Sequence, residues 1–164
     1  MNQDGSSVAY KIISSHEFAE VREMVSSGQK ALYATHTFSA GDPIISFSSA
    51  KTVNTPNYLT VQVNNDEHIM LHPEFIQYIN HSCEPNCFFD TTNMQLIALT
   101  DILSGAAFTF FYPSTEWDMQ QPFACCCGSK KCLGEIRGAA HLSSEQANQY
   151  RFTDFILSKR NNIL

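Results

Sequence analysis

Three consecutive cysteines, Cys125-Cys126-Cys127, followed by Cys132, constrain this chain more than any other stretch of it. Neighbouring cysteines seldom all find disulfide partners at acceptable geometry. The spacing C-x-C-x4-C at Cys125, Cys127 and Cys132 instead suits a metal. The first two thiolates reach one ion across a tight turn, and Gly128-Ser129 lets the chain reverse so that Cys132 joins them. Zinc takes four soft or nitrogen ligands in a tetrahedron, and closed four-cysteine sites are structural. Three cysteines are therefore an incomplete set, and a fourth ligand must come from elsewhere in the chain. The competing reading is a reactive or buried thiol loop without metal.

The six cysteines also admit a disulfide framework. Met1 to Ser7, however, is polar and carries Asp4, with no basic segment ahead of an apolar core, so it does not resemble a secretory signal. An intracellular, reducing compartment and zinc are the expectation. No apolar run approaches the length needed to cross a bilayer. With 43% hydrophobic and 16% charged residues, the 164-residue chain fits one folded domain. A formal charge of −6 and the lack of a basic stretch argue against direct nucleic-acid binding and favour a basic polypeptide as partner.

Short strands broken by turn residues dominate from Lys30 onward. Residues 31–38 and 43–47 flank Ser39-Ala40-Gly41-Asp42, which predicts a hairpin. Leu59, Val61 and Val63 alternate with Thr60, Gln62 and Asn64, as in a half-buried strand. Residues 87–90 and 94–99 flank Thr91-Thr92-Asn93, a second hairpin. The run Ile102-Leu103-Ser104-Gly105 before 108–112 echoes Phe38-Ser39-Ala40-Gly41 before 44–47. Residues 1–15 read as a polar lead. Residues 17–25 stay open between a helix, with Ser14 and Glu17 as a capping box, and a strand. One C-terminal helix is predicted from Ser143, with Gln146 three residues on, through Tyr150, Phe155 and Ile156. The fold class is mostly β with few helices.

Asn80-His81-Ser82-Cys83-Glu84-Pro85-Asn86, then Phe108-Thr109-Phe110-Phe111-Tyr112, then the three spaced cysteines stand in an order that resembles the SET family of protein lysine methyltransferases. Taken alone, residues 108–112 suit a buried strand and Asn80-His81 a turn; the shared order of three motifs changes that. The resemblance covers about residues 20 to 138 and implies a SET (β-clip) fold. It divides the chain into a lead (1–19), a SET domain (20–115), a post-SET zinc segment (116–138) and a helical tail (139–164). It also implies Cys83 as the fourth zinc ligand beside Cys125, Cys127 and Cys132, which leaves Cys87 and Cys126 as packing residues.

The implied function is S-adenosylmethionine-dependent transfer of methyl to a lysine on a basic protein tail, histone tails included. Such a transfer needs a neutral amine, favoured by desolvation in an apolar channel, and alignment of nitrogen, carbon and sulfur. By resemblance Tyr112 is the catalytic tyrosine, and Phe110 holds the Phe/Tyr switch position, where phenylalanine implies di- or trimethylation. Lys30, Ala31, Leu32, Tyr33, Asn80, His81, Tyr112 and Leu133 match the cofactor contacts, with Leu133 and Ile136 closing over the adenine. Trp117-Asp118 and Phe123 stand where related proteins carry similar residues.

The chain also departs from the family pattern. Both glycines of the first motif are lost at Gln29 and Ala31, with Gly28 one place early, and Ala31 is expected to crowd the cofactor. Gln77 replaces an arginine, and Ala107 and Phe111 replace acidic residues. The alternative to an enzyme is a catalytically impaired SET scaffold that binds a peptide or partner protein. Dimerisation through the C-terminal helix is one route to extra stability for so small a domain.

Overall fold

The structure, a computed structural model, describes residues 9–162. Most of the expected N-terminal lead and the last two residues of the tail lie outside the described residues. Strands β1 (Tyr10–Ser15), β2 (Ala19–Met24) and β3 (Lys30–Ala34) form an antiparallel meander. Next come β4 (Pro43–Ser46), β5 (Ser48–Val53), β6 (Thr60–Gln62) and β7 (His68–His72), then β8 (Asn80–His81), β9 (Cys87–Asp90), β10 (Gln95–Ala98) and β11 (Thr109–Phe110). The last strands are β12 (Phe123–Ala124) and β13 (Glu135–Ile136), ahead of helices α1 (Ser144–Ala147) and α2 (Asp154–Asn161). The expected mostly-β architecture of short strands with few helices is what the chain adopts.

The open segment 17–25 is a strand. Ala19 and Val21 are fully buried while their neighbours are partly exposed, the period of two that a one-sided sheet requires, and Val25 is 67% exposed. Ser14 lies in β1 instead of capping a helix. The polar lead accordingly contains an edge strand from Tyr10 onward.

The hairpin expected at 39–42 does not form. The turn exists, with the Asp42 amide donating to the Ser39 carbonyl and the Ser39 amide to the Asp42 carboxylate, but β4 pairs with β10 in a β4-β10-β9 sheet. Phe38 pairs instead with Ile102, through two reciprocal backbone hydrogen bonds of 2.9 Å. The echo noted in the sequence is thus a physical pair: Gly41 and Gly105 share φ of +92°, a value glycine tolerates. The hairpin of β9 and β10 forms as expected.

Strand β6 sits in a β5-β7-β6 sheet and is buried on both faces, so its polar positions are inside: Thr60 and Gln62 are each 7% exposed. Gln62 is satisfied by distant groups, its amide donating to the Glu116 carboxylate (2.8 Å) and its side-chain carbonyl accepting from the Trp117 amide (2.9 Å).

The predicted C-terminal helix is two helices. Ser143 and Gln146 do make a full capping box, yet α1 ends at Ala147. Tyr150 leaves the helix path to stack on Phe111, with centroids 3.6 Å apart and planes 6° from parallel, and Thr153 donates its amide to Ser114 and caps α2. Phe111, 2% exposed, anchors a second core with Phe152, Ala139 and Ile156. An aromatic residue in place of an acid at this position is what docks the tail. The main core gathers Leu32, Ile79, Phe89, Leu96 and Phe108, none more than 1% exposed.

Candidate active site and cysteine centre

The two-residue strands β8 and β11 pair in parallel, Asn80 beside Thr109 and His81 beside Phe110. Asn86 fastens them: its side-chain oxygen accepts from the Thr109 amide (2.8 Å) and its side-chain nitrogen donates to the Ala107 carbonyl (2.8 Å). The Asn80-to-Asn86 motif and the aromatic run are therefore one structural unit, which puts His81 against Tyr112.

The Tyr112 amide donates to His81 Nδ1 at 3.2 Å. Burial pulls the His81 imidazole down to about 4, so the ring is neutral. With Nδ1 accepting, the ring hydrogen belongs on Nε2, which faces Cys83 Sγ at 3.4 Å. One imidazole thus links the tyrosine to the cysteine centre. The Tyr112 hydroxyl is pushed up to about 12, first by burial and then by nearby Tyr58, so it stays protonated and serves as a donor.

The sulfur atoms of Cys83, Cys125, Cys127 and Cys132 lie within 4.8 Å of one another, and Cys83 and Cys125 are 3.9 Å apart. A zinc–sulfur bond of about 2.3 Å gives a tetrahedral sulfur–sulfur edge of roughly 3.8 Å, so the donor set fits zinc. Cys83 is pushed up to about 11, chiefly by burial. Burial also works against the Cys127 thiolate, but backbone groups of Cys83 and Ser129 outweigh it and bring that thiol down to about 7. A metal that binds here displaces protons from the remaining thiols. The Leu133 amide donates to Cys83 Sγ at 3.4 Å and the Tyr150 hydroxyl to the Cys83 carbonyl at 3.0 Å, so two outer groups already orient the fourth ligand. Cys126 is exposed and Cys87 buried, and neither is in the cluster.

Two clefts open on either side of Tyr112. The larger, about 720 Å³, is bounded by Gly28, Lys30, Asn80, His81 and the Ala124–Cys127 segment, a size in the range of small-molecule sites. The second, about 400 Å³, is bounded by Phe110, Thr60, Glu116 and the 119–122 segment. Tyr58, Tyr112 and Phe123 line both.

Of the residues matched to cofactor contacts, Lys30, Asn80, His81 and Tyr112 line the larger cleft. Asn80 donates its side chain to the Lys30 carbonyl at 2.9 Å. The others go elsewhere. Leu32 is in the core, and Ala31 and Tyr33 line a cavity of about 310 Å³ with Arg22 and Ala107. Leu133 and Ile136 line another of about 290 Å³ beside Pro113. The cavity that Ala31 lines shares Gln29 and Asn80 with the larger cleft, while Gln77 lines the larger cleft and Ala107 the neighbouring one. Phe110 is 8% exposed and packs between Phe89 (4.8 Å) and Tyr112 (4.7 Å). Sequence reasoning missed Tyr58 and Glu116; neither carries a local signal, since each reaches the site only through tertiary contacts.

Residues 29–113 match the family model for the SET domain. The chain is 34% identical over 134 residues to the methyltransferase flvH of Aspergillus flavus, covering 80% of this chain and 68% of that protein. It is 35% identical over 68 residues to the human histone-lysine N-methyltransferase 2B, covering 38% of this chain and 2% of that protein. With the H3 lysine-36 specific histone-lysine N-methyltransferase of Schizosaccharomyces pombe it shares 33% over 76 residues, 42% of this chain and 9% of that one. The chain belongs to the SET domain family. That membership, with methyltransferases among its relatives, supports methyl transfer as the chemistry. No helix of the described residues is long and apolar enough to cross a membrane.

Proposed function

We propose that this protein is an S-adenosylmethionine-dependent N-methyltransferase that acts on a lysine side chain of a basic polypeptide. The observation that carries the reading is the common wall of the two clefts at Tyr58, Tyr112 and Phe123. A donor and an acceptor bound on opposite sides of that wall meet beside the Tyr112 hydroxyl. Lys30, Asn80 and His81 line the donor side. The bound cofactor supplies a methyl group made electrophilic by a sulfonium centre.

The chain's own residues do the rest. Phe110, Tyr112 and Phe123 exclude water from the acceptor side, which favours the uncharged amine. The protonated Tyr112 hydroxyl orients polar atoms at the junction, and alignment of the reacting groups is the main source of rate. Phe110 places no hydroxyl in the acceptor cleft, so room remains for an amine that already bears methyl groups; di- or trimethylation is the expected product. A net charge of −6 favours basic partners, and the histone-lysine relatives make histone tails the first substrates to try.

A scaffold that binds without catalysis was the alternative raised by the altered first motif. Ala31 lines a neighbouring cavity that shares Gln29 and Asn80 with the larger cleft, so the altered motif borders the donor side without lining it. The test has two parts. Calorimetry on zinc-loaded protein is expected to show S-adenosylmethionine binding at micromolar strength. Tyr112→Phe is expected to keep that binding and the fold while lowering turnover of a lysine-rich peptide by about a hundredfold or more. Turnover unchanged by the substitution would refute the role of Tyr112, and no binding at millimolar cofactor would refute the enzyme reading.

A further inference from the structure

The smaller cleft holds one group that the proposed methyl transfer does not use. Among the described residues that line it, Glu116 is the only charged side chain, and none is basic. The Glu116 side chain is 13% exposed. It is placed by the turn after Tyr112, where the Glu116 amide donates to the Tyr112 carbonyl at 3.1 Å. The acid and the tyrosine therefore enter the same cleft from one turn of chain.

Its two oxygens are each held by one neighbour. The Gln62 amide donates to Oε1 at 2.8 Å, and His68 Nε2 lies 3.1 Å from Oε2. His68 is buried, and its Nδ1 has no hydrogen-bond partner. His68 therefore meets the carboxylate through Nε2 alone, on the side of the carboxylate away from Gln62. No lysine or arginine among the described residues pairs with Glu116. Burial raises the carboxyl above its ordinary range, although the His68 and Gln62 contacts work against the rise. A desolvated carboxylate of this kind is stabilised by whatever cation enters.

We infer that Glu116 receives the acceptor: its carboxylate binds the positively charged head of an alkylamine entering the cleft beside Phe110 and Tyr112. The ligand class is an unbranched alkylammonium, such as a lysine side chain, with its methylenes against the aromatic walls. A carboxylate holds an amine in its charged form, so the role is capture and charge selection, a binding event separate from methyl transfer; the captured proton must pass to bulk water before the neutral amine reacts. This inference rests on reading the cleft as the acceptor site and adds the group that selects the charge.

The test is equilibrium binding to the full chain loaded with zinc, followed by NMR, with N-acetyl-lysine methylamide as the charged probe and its norleucine counterpart as the neutral one. Wild-type protein is expected to bind the lysine probe about thirtyfold or more tightly than the norleucine probe. Glu116→Gln keeps the shape and the Gln62 contact and is expected to bring the two affinities within about threefold, while Glu116→Asp retains part of the preference. In wild-type protein the Glu116 carboxyl carbon signal is expected to move as the lysine probe saturates and to stay still with norleucine; this readout needs no variant to fold. No lysine preference in wild type, a preference that survives Glu116→Gln, or an unmoved carboxyl signal would each overturn the inference. No methyl donor or turnover enters the measurement, so a failure of cofactor binding would refute the enzyme reading and leave this result intact.

Discussion

The two walls of the larger cleft are built in opposite ways. On one side Asn80 and His81 stand on strands fastened by Asn86 and backed by Ile79, Phe89 and Phe108, each 1% exposed or less. On the other side runs the cysteine segment. Of the described residues between Met119 and Arg137, Ile136 alone is buried, and the β12–β13 ladder is two residues long. Besides the thiol cluster, that stretch is held by backbone hydrogen bonds from Cys125 to Gly134 and from Met119 to Arg137, by the Ser129 hydroxyl on the Glu84 carboxylate (2.7 Å), and by Phe123 packed edge-on to His81 and Tyr112. Core packing dominates the first wall, and the second rests on the thiol cluster with a few surface contacts. The larger cleft therefore has one side that carries the four-thiol cluster, and His81 joins the two sides through its contacts with Tyr112 and Cys83.

The largest effect expected from this difference comes from removing the metal. Structural zinc sites contribute on the order of 10 kcal/mol to the segments they close, far more than a two-residue ladder supplies. Chelation, or Cys127→Ser, is expected to release 119–137 to rapid amide exchange and to abolish S-adenosylmethionine binding, while the amides of β8 to β10 stay protected. Hydrogen exchange with and without chelator checks this. Protection of 119–137 that survives zinc removal would show that packing holds both walls.

The complementary test breaks the packed wall. Asn86→Ala leaves the Thr109 amide and the Ala107 carbonyl without their partners, and unmade buried hydrogen bonds of this kind cost about 2–4 kcal/mol for the pair. Stability measured by urea unfolding is expected to fall by that amount, with the zinc content unchanged. A loss of zinc alongside stability would mean that the two walls are not independent.

What was legible in the sequence follows the same division. The spacing of Cys125, Cys127 and Cys132 is local chemistry at fixed intervals, and the resemblance of the Asn80-to-Asn86 motif to the SET pattern adds Cys83, so the thiol cluster could be named before any geometry. The features that escaped depend on distant partners. Strand β1 is exposed along most of its length, so no periodic burial marks it. Thr60 and Gln62 look solvent-facing because the group that satisfies Gln62, Glu116, is far away in the chain. The capping box reports where α1 starts, but its end is set by Tyr150 stacking on Phe111. Ala31 was readable in principle: in a strand whose Leu32 and Ala34 point into the core, Ala31 and Tyr33 take the other face.

The smallest expected effect probes how the tail is fixed to the packed side. Asp90 closes the β9–β10 hairpin, its carboxylate accepting from the Thr92 and Asn93 amides and the Asn93 side chain at 3.0 Å each, with Arg151 of the tail 3.7 Å away. Burial alone would raise this carboxyl, but those hydrogen bonds and Arg151 outweigh it and hold it below its ordinary value of 3.8. The folded state therefore binds fewer protons than the unfolded one in that window, and stability rises with pH there. The contribution is fully present above about 4 and is lost as pH falls through the lowered value. Asp90→Asn is expected to cost about 1 kcal/mol at neutral pH, with the gap to wild type closing as both are acidified to a pH below the lowered value. Zinc release in acid acts on both proteins and cancels in the difference. A gap that stays constant down to that pH would mean that Asp90 matters for its shape in the turn and not for its charge, and that Arg151 plays no part in fixing the tail.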